Sequence, residues 1–467
     1  FASTSSGRTY RPIIPWSGPR VGGRRSRRAD EPPNAASVDE PGPIVPSVTW
    51  TPPPRPRWVA RLNAHGEYAG GAQRLVPLDR DQLVDRARDA AGLHDLDGDE
   101  GDGWWANYDA LLDGLDREWR GHVVGRTLTR AEMLRSLQTR LEVVAAFDRL
   151  PDLLERPVVE PLFIVGAARS GTSILHELLC LDPAALVPTT WRVHRPTAGF
   201  DTDRADAARR EVDAVVQSWH DVQPEYEAMH HNGGDLPTEC IFLTAPTFLS
   251  DAWAGPHTSV SYAAHVAMAD HEPAYRWHRR TLQLLQAAEP ATGSPRRWVL
   301  KAPSHLATLR ALFAVYPDAR VVHIHRDPAR TLPSMFDLMA TLKWMRSDHV
   351  DIAGLVAMAT DGIAGLQEAA IADRAAGALP DDRFCDVRYA DLMADPTATV
   401  ARIHERFGWP TPPGIADDVR SYLAAKPKGA RGTHRYSLAT FGLTADAVAA
   451  RYRDYLERFD IPAERDG

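Results

Sequence analysis

Leu162-Phe163-Ile164-Val165-Gly166-Ala167-Ala168-Arg169-Ser170-Gly171-Thr172-Ser173 is an apolar run, a glycine-bounded loop and a pair of hydroxyls, leading into Ile174–Leu181. The apolar run reads as a buried strand and the segment after Ser173 as a helix. Between them Gly166 and Gly171 let the backbone turn tightly, so that successive N–H groups and the helix N-terminus converge where an anion is stabilised. Ser170, Thr172 and Ser173 add hydroxyls, and Arg169 adds charge. An ordinary glycine-rich turn has no need of those four polar residues, so the loop reads as a phosphate site. The glycine spacing fits the G-x-x-x-x-G-K-[ST] pattern of triphosphate loops, but Thr172 stands where the lysine belongs. That lysine reaches the β- and γ-phosphates, and its absence weakens an ATPase or kinase reading.

Working outward, Pro161–Val165, Trp298–Leu300, Arg320–His325 and Phe384–Tyr389 each read as buried strands, with helical patterns after the first three. Strands alternating with helices predict an α/β fold, a P-loop-like parallel sheet flanked by helices, with ligands at the carboxyl ends of the strands. From 56 to 155 leucines such as Leu83, Leu111, Leu115, Leu137 and Leu141 recur at helical intervals, predicting a helical N-terminal lead-in to a domain over 156–467. Residues 1–55, rich in Pro, Gly, Ser and Arg, read as a disordered tail. The chain opens on Phe1, not Met, which leaves the true start open. Arg24, Arg25, Arg27 and Arg28 suggest an export signal, but the apolar core of about 7–15 residues that export requires does not follow. The acidic run from Asp95 to Asp102 invites a calcium loop; Glu100 stands where the sharp turn needs glycine and Ala106 where the bidentate Glu belongs, so an acidic loop capping the next helix is the better reading.

The chain has 467 residues, 44% of them hydrophobic, enough to bury a large core. A net charge of −8 argues against general nucleic-acid binding. Cys180, Cys240 and Cys385 are scattered and form neither a disulfide framework nor a CxxC site, so a reducing cytoplasmic setting is expected. No apolar run reaches the roughly 18 residues of a membrane span. Lysine is nearly absent: Lys301, Lys343, Lys426 and Lys428 are the only four.

The loop 162–173 resembles the 5′-phosphosulfate loop of sulfotransferases that use 3′-phosphoadenosine-5′-phosphosulfate (PAPS), whose fold is a P-loop relative. The likeness is to the broad bacterial branch, which also carries a helical lead-in, and it extends over 58–460. The resemblance implies sulfonate transfer from PAPS to a hydroxyl or amine of a small or lipid-like acceptor, release of 3′,5′-bisphosphoadenosine (PAP), and no metal. A donor with two phosphate groups needs a second anion pocket. Arg326 ends the strand Arg320–His325, where an arginine can grip a phosphate through two parallel bonds, and Ser334 follows at the spacing of the family's 3′-phosphate motif. Lys428-Gly429-Ala430-Arg431-Gly432 is similar to the family segment that closes over the nucleotide, with Pro427 replacing its leading arginine and Arg431 a candidate substitute. Tyr389 matches a family tyrosine near the adenine.

Lys301, at a strand tip on the edge that carries the loop, matches the lysine that contacts the transferring group. Two residues compete for the base. His305 follows Lys301 by four, against two in cytosolic relatives; Pro303 and Ser304 look like a helix start, whose dipole would keep the imidazole neutral. Glu239 is the alternative. His230 and His231 suggest a metal, but helix neighbours diverge by about 100° and share an ion poorly. Phe242, Phe248, Trp253, Tyr262, Tyr275 and Trp277 suit either acceptor walls or core packing. Two other readings stay open: a nucleotide-dependent kinase, suggested also by the triplet His325-Arg326-Asp327 although Leu332 stands where the metal-binding Asn belongs, and a non-catalytic nucleotide-binding protein. The oligomeric state has no signature in the sequence.

Overall fold

Four consecutive apolar residues, Leu162–Val165, form β1, and all four are buried. Phe163 and Val165 pack on one side with Trp298, Leu300 and Val321, while Leu162 and Ile164 pack on the other with Val299, Val322 and Ile324. A strand covered on both faces shows no polar alternation, which is why a continuous apolar run marks it. In the computed structural model, which describes residues 47–98, 103–290, 296–426 and 436–464, the other strands are β2 (Ala185–Leu186), β3 (Arg297–Lys301), β4 (Arg320–His325) and β5 (Phe384–Arg388). All pair parallel, in the order β2-β3-β1-β4-β5. β1 therefore lies at the centre, with the chain stepping to one side for β3 and to the other for β4. Crevices at the carboxyl ends open at such reversals. The two-residue β2 is too short to show a period and was not anticipated. β5 ends one residue earlier than expected, and Tyr389 begins the next helix.

The lead-in consists of α1 (Arg57–Tyr68), α2 (Ala72–Leu75), α3 (Arg80–Ala91), α4 (Trp104–Arg117) and α5 (Val123–Arg149). Asp79 caps α3 by accepting from the Gln82 N–H at 2.8 Å, and Gly92 ends it in the left-handed conformation. Leu83, Trp104, Tyr108, Leu111, Leu137 and Leu141 share one buried cluster with Phe248, Trp253 and Tyr262. The lead-in thus packs on the largely helical stretch between β2 and β3. The chain divides at Ile44, and every described residue lies in the unit Val45–Gly467. Residues 99–102 of the acidic run, on which the expected cap depends, lie outside the described residues. Gly103 is the N-cap of α4 and no side chain caps it, whereas Asp97 accepts from the indoles of Trp104 and Trp105 at 2.8 and 2.9 Å. Among the described residues no helix is long and apolar enough to cross a membrane.

Candidate active site

The parallel register aligns Ile164 with Lys301 and Val165 with His323, so the loop after β1 lies beside the tips of β3 and β4. Gly166 and Gly171 both adopt positive φ, +148° and +103°. A Cβ on Gly166 would stand 2.6 Å from the Ile324 carbonyl, and one on Gly171 2.5 Å from the ring of Tyr389. Thr172 opens α6 (Thr172–Leu179), so its first N–H groups face the loop. Ser170 Oγ is buried without a partner. Arg169, itself at φ +69°, donates to two neutral acceptors, Ser334 Oγ at 3.0 Å and the Met229 carbonyl at 2.9 Å. Burial lowers its guanidinium below the usual value. An orphaned hydroxyl, unbonded helix N–H groups and a desolvated guanidinium converge here, and an anion would satisfy all three.

Arg326 and Ser334, expected to share one phosphate, do not touch; Arg169 links them. Its side chain bonds Ser334, and its carbonyl accepts from Arg326 Nη1 at 3.1 Å. The remaining Arg326 donors grip Glu464, Nε at 2.7 Å and Nη2 at 2.8 Å, and the guanidinium lies 3.9 Å over the Tyr389 ring. Burial disfavours the Arg326 charge, but the Glu464 bond together with the charge interactions of Tyr389 and Glu464 outweighs it and raises the pKa. Asp327 is occupied as a cap, accepting from Ala329 N at 2.8 Å and Glu464 N at 2.9 Å. The resemblance of His325-Arg326-Asp327 to a kinase catalytic loop is therefore confined to sequence. Lys428, Gly429 and Arg431 lie outside the described residues.

At the β3 tip, Lys301 Nζ donates to Glu239 Oε1 at 2.5 Å and to Ser173 Oγ at 3.3 Å, tying the loop to Glu239. His230 Nε2 stands 3.3 Å from the same Oε1. Burial pushes the Glu239 carboxyl up, but Lys301 and His230 together hold it well below the carboxylate range. His305 has different surroundings. The expected first turn of an α-helix is a 3-10 turn, Pro303–Ala307, behind Ala302, which cannot cap, so the dipole argument loses its helix. Its ring is 3% exposed, edge-on to Phe163 at 5.0 Å, with Nδ1 2.6 Å from the Tyr275 hydroxyl and Nε2 unpartnered. Burial drives its pKa down to about 3.

Of the six aromatics considered as acceptor walls, Phe248, Trp253, Tyr262, Tyr275 and Trp277 are buried in the core, and Phe242 alone is partly exposed. His323, His325 and Asp386 offer atoms within 4.8 Å of one another. Arg374 already takes both Asp386 oxygens, at 2.8 and 2.7 Å, and His325 takes one at 2.9 Å, an ion network more than a cation cage. Glu464 and His230 are the site neighbours the sequence did not single out. Glu464 belongs to a polar terminal stretch without pattern, and His230 was weighed only as a metal ligand.

A model of the sulfotransferase family matches residues 161–413, a stretch containing the loop, Glu239, Lys301, Arg326 and Ser334. The solved sulfotransferase STF1 of Mycobacterium tuberculosis H37Rv is 31% identical, with a TM-score of 0.68 over 81% of this chain and 99% of that one. Sulfotransferase STF9 of Mycobacterium avium is 26% identical, with a TM-score of 0.72 over 83% of this chain and 98% of that one. The omega-hydroxy-beta-dihydromenaquinone-9 sulfotransferase Stf3 of Mycobacterium bovis is 25% identical over 272 residues, 56% of this chain. The match spans 66% of the length of that curated relative. With a matching family model across more than half its length and two solved relatives sharing its architecture, this chain belongs to the sulfotransferase family.

Proposed function

We propose that the protein transfers a sulfonate group from PAPS to a hydroxyl, or amine, of a lipid-like acceptor and releases PAP. The observation that carries this reading is the contact chain Ser173–Lys301–Glu239, which places an ammonium and a carboxylate at the mouth of an anion loop. The loop 166–173 would hold the 5′-phosphosulfate through N–H groups, Thr172, Ser173 and Arg169. Arg326 and Ser334 would face the 3′-phosphate, with Tyr389 beside the nucleotide and Lys428, Gly429 and Arg431 as further nucleotide-binding residues. PAPS supplies a sulfonate joined to phosphate by the S–O bond that is to break. Lys301 then neutralises the leaving oxygen, where charge develops most. Proton removal from the acceptor belongs to the Glu239 side of the site, because His305 lies among core aromatics and is bonded to Tyr275.

The lipid-like acceptor is supported by the mycobacterial relative, whose name specifies a hydroxylated menaquinone derivative. The experiment is the transfer itself: sulfur-labelled PAPS incubated with the protein and a lipid extract should pass label into the lipid fraction. ATP hydrolysis in place of sulfonate transfer would support the kinase reading, and nucleotide binding without turnover the non-catalytic one.

A further inference from the structure

His230 follows the short helix Glu225–Met229 in extended backbone. Two contacts fix its place. The preceding carbonyl, of Met229, accepts from Arg169 of the phosphate loop at 2.9 Å. The ring lies nearly parallel to that of Tyr226, 17° between planes and 6.1 Å between centroids. Its Nε2 meets Glu239 Oε1, the oxygen that also takes the Lys301 ammonium. A carboxylate paired with an ammonium is ionised and can only accept, so the imidazole must be the donor. Placing the ring proton on Nε2 leaves the lone pair on Nδ1. Nδ1 is shielded from solvent and has no partner. A buried acceptor without a donor is unfavourable, and an arriving hydroxyl would relieve it. The His230 side chain as a whole is 25% exposed, whereas His305 is buried.

We propose that His230 Nδ1 is the general base on the acceptor hydroxyl, and that Glu239 is the positioning carboxylate behind it. The inference rests on the sulfonate-transfer reading. The acceptor O–H proton passes to Nδ1 while the acceptor oxygen forms its bond to sulfur. The S–O bond to the 5′-phosphate breaks, and its electron pair stays on PAP, opposite Lys301. The imidazolium so formed is flanked by the Glu239 carboxylate, and its proton leaves to water after the products depart. Glu239 suits this supporting task better than that of base: held far below the carboxylate range by Lys301 and His230, it takes protons poorly but remains a strong counter-charge.

The test uses the full chain, His230→Ala, His230→Gln and Glu239→Gln, with labelled PAPS and a lipid extract as the acceptor source. Both His230 variants should lose about 10²–10⁴-fold in kcat, the usual worth of a positioned base, while PAP affinity stays within about twofold. Added imidazole should restore part of the Ala variant's turnover. Independently of activity, nitrogen-15 spectra of histidine-labelled protein with PAP bound should show His230 as the Nε2–H tautomer, and Glu239→Gln should disturb that signal. Near-normal kcat in both His230 variants, or an Nδ1–H tautomer in wild type, would overturn the assignment. So would equal losses of PAP affinity and turnover, which make His230 structural. If wild type moves no label at all, the sulfonate-transfer reading falls and the base assignment falls with it.

Discussion

Arg326 holds both oxygens of Glu464, the fork geometry that it would also offer to a phosphate. A 3′-phosphate reaching this arginine must displace that carboxylate or sit beside its charge. Arg326→Ala should weaken PAP binding by about 1.5–3 kcal/mol, the worth of a charge-assisted bond. Glu464→Gln should tighten it several-fold, because the competing charge is gone while the side chain keeps its size. Calorimetric titration of the two variants checks both; unchanged affinity in each would remove Arg326 from the nucleotide site. At this scale legibility depended on context. Lys301 stood out because the chain has four lysines, and Arg326 because it ends an apolar strand. Glu464 lies 138 residues from the arginine it pairs with, and nothing local marks it. His230 was hidden by its neighbour: a histidine pair suggests a metal, and its tie to Glu239 depends on a turn between the two that has no periodicity.

The loop between β1 and α6 is held by its glycines and by the ring of Tyr389. Gly171 has φ +103°, and a methyl there would meet Tyr389, itself pinned beneath the Arg326 guanidinium. Gly171→Ala should therefore cost roughly 1–3 kcal/mol from backbone strain and overpacking. It should also weaken PAP binding, since the displaced ring disturbs Arg326. Thermal melts and PAP titration measure the two effects; a variant with wild-type melting and affinity would contradict the account of the loop. The strands of this sheet were readable because parallel, doubly covered strands are apolar throughout. The turn after β3 was not. Pro303 and Ser304 imitate a helix start, but His305 N bonds back to the Ala302 carbonyl and Thr308 N to that of His305, so the segment winds as a 3-10 turn. The side chain of His305 is thereby placed among Phe163 and Tyr275, a direction no sequence pattern encodes.

Across the whole molecule, several histidines are buried in neutral form. Burial lowers His176 to about 4, and His257 and His305 to about 3. In the unfolded chain each would titrate near 6.5, so below that pH the unfolded state binds more protons than the folded one. Their contribution to stability is thus fully present above about pH 7 and is lost as the pH falls toward 4 and 3, at about 1.4 kcal/mol per pKa unit of difference. Glu239 and Asp386, both depressed, act in the same direction in more acidic solution. Melting temperature should therefore fall steadily from pH 6.5 downward at constant ionic strength; a maximum near pH 5 would contradict this. The helical lead-in was legible as helices but not as a packing partner. Leu111 and Leu137 show their period in sequence, whereas their shared cluster with Phe248 and Trp253 exists only in the folded chain.

The measurement that bears most directly on the central claim is one reaction followed at two atoms. The full chain is incubated with PAPS labelled on sulfur, a lipid extract and, in parallel, ATP with magnesium. Label should enter an extractable lipid product in step with PAP formation, Lys301→Ala should nearly abolish both, and ATP should be left intact. Release of phosphate from ATP with no sulfur in the lipid fraction would contradict the claim.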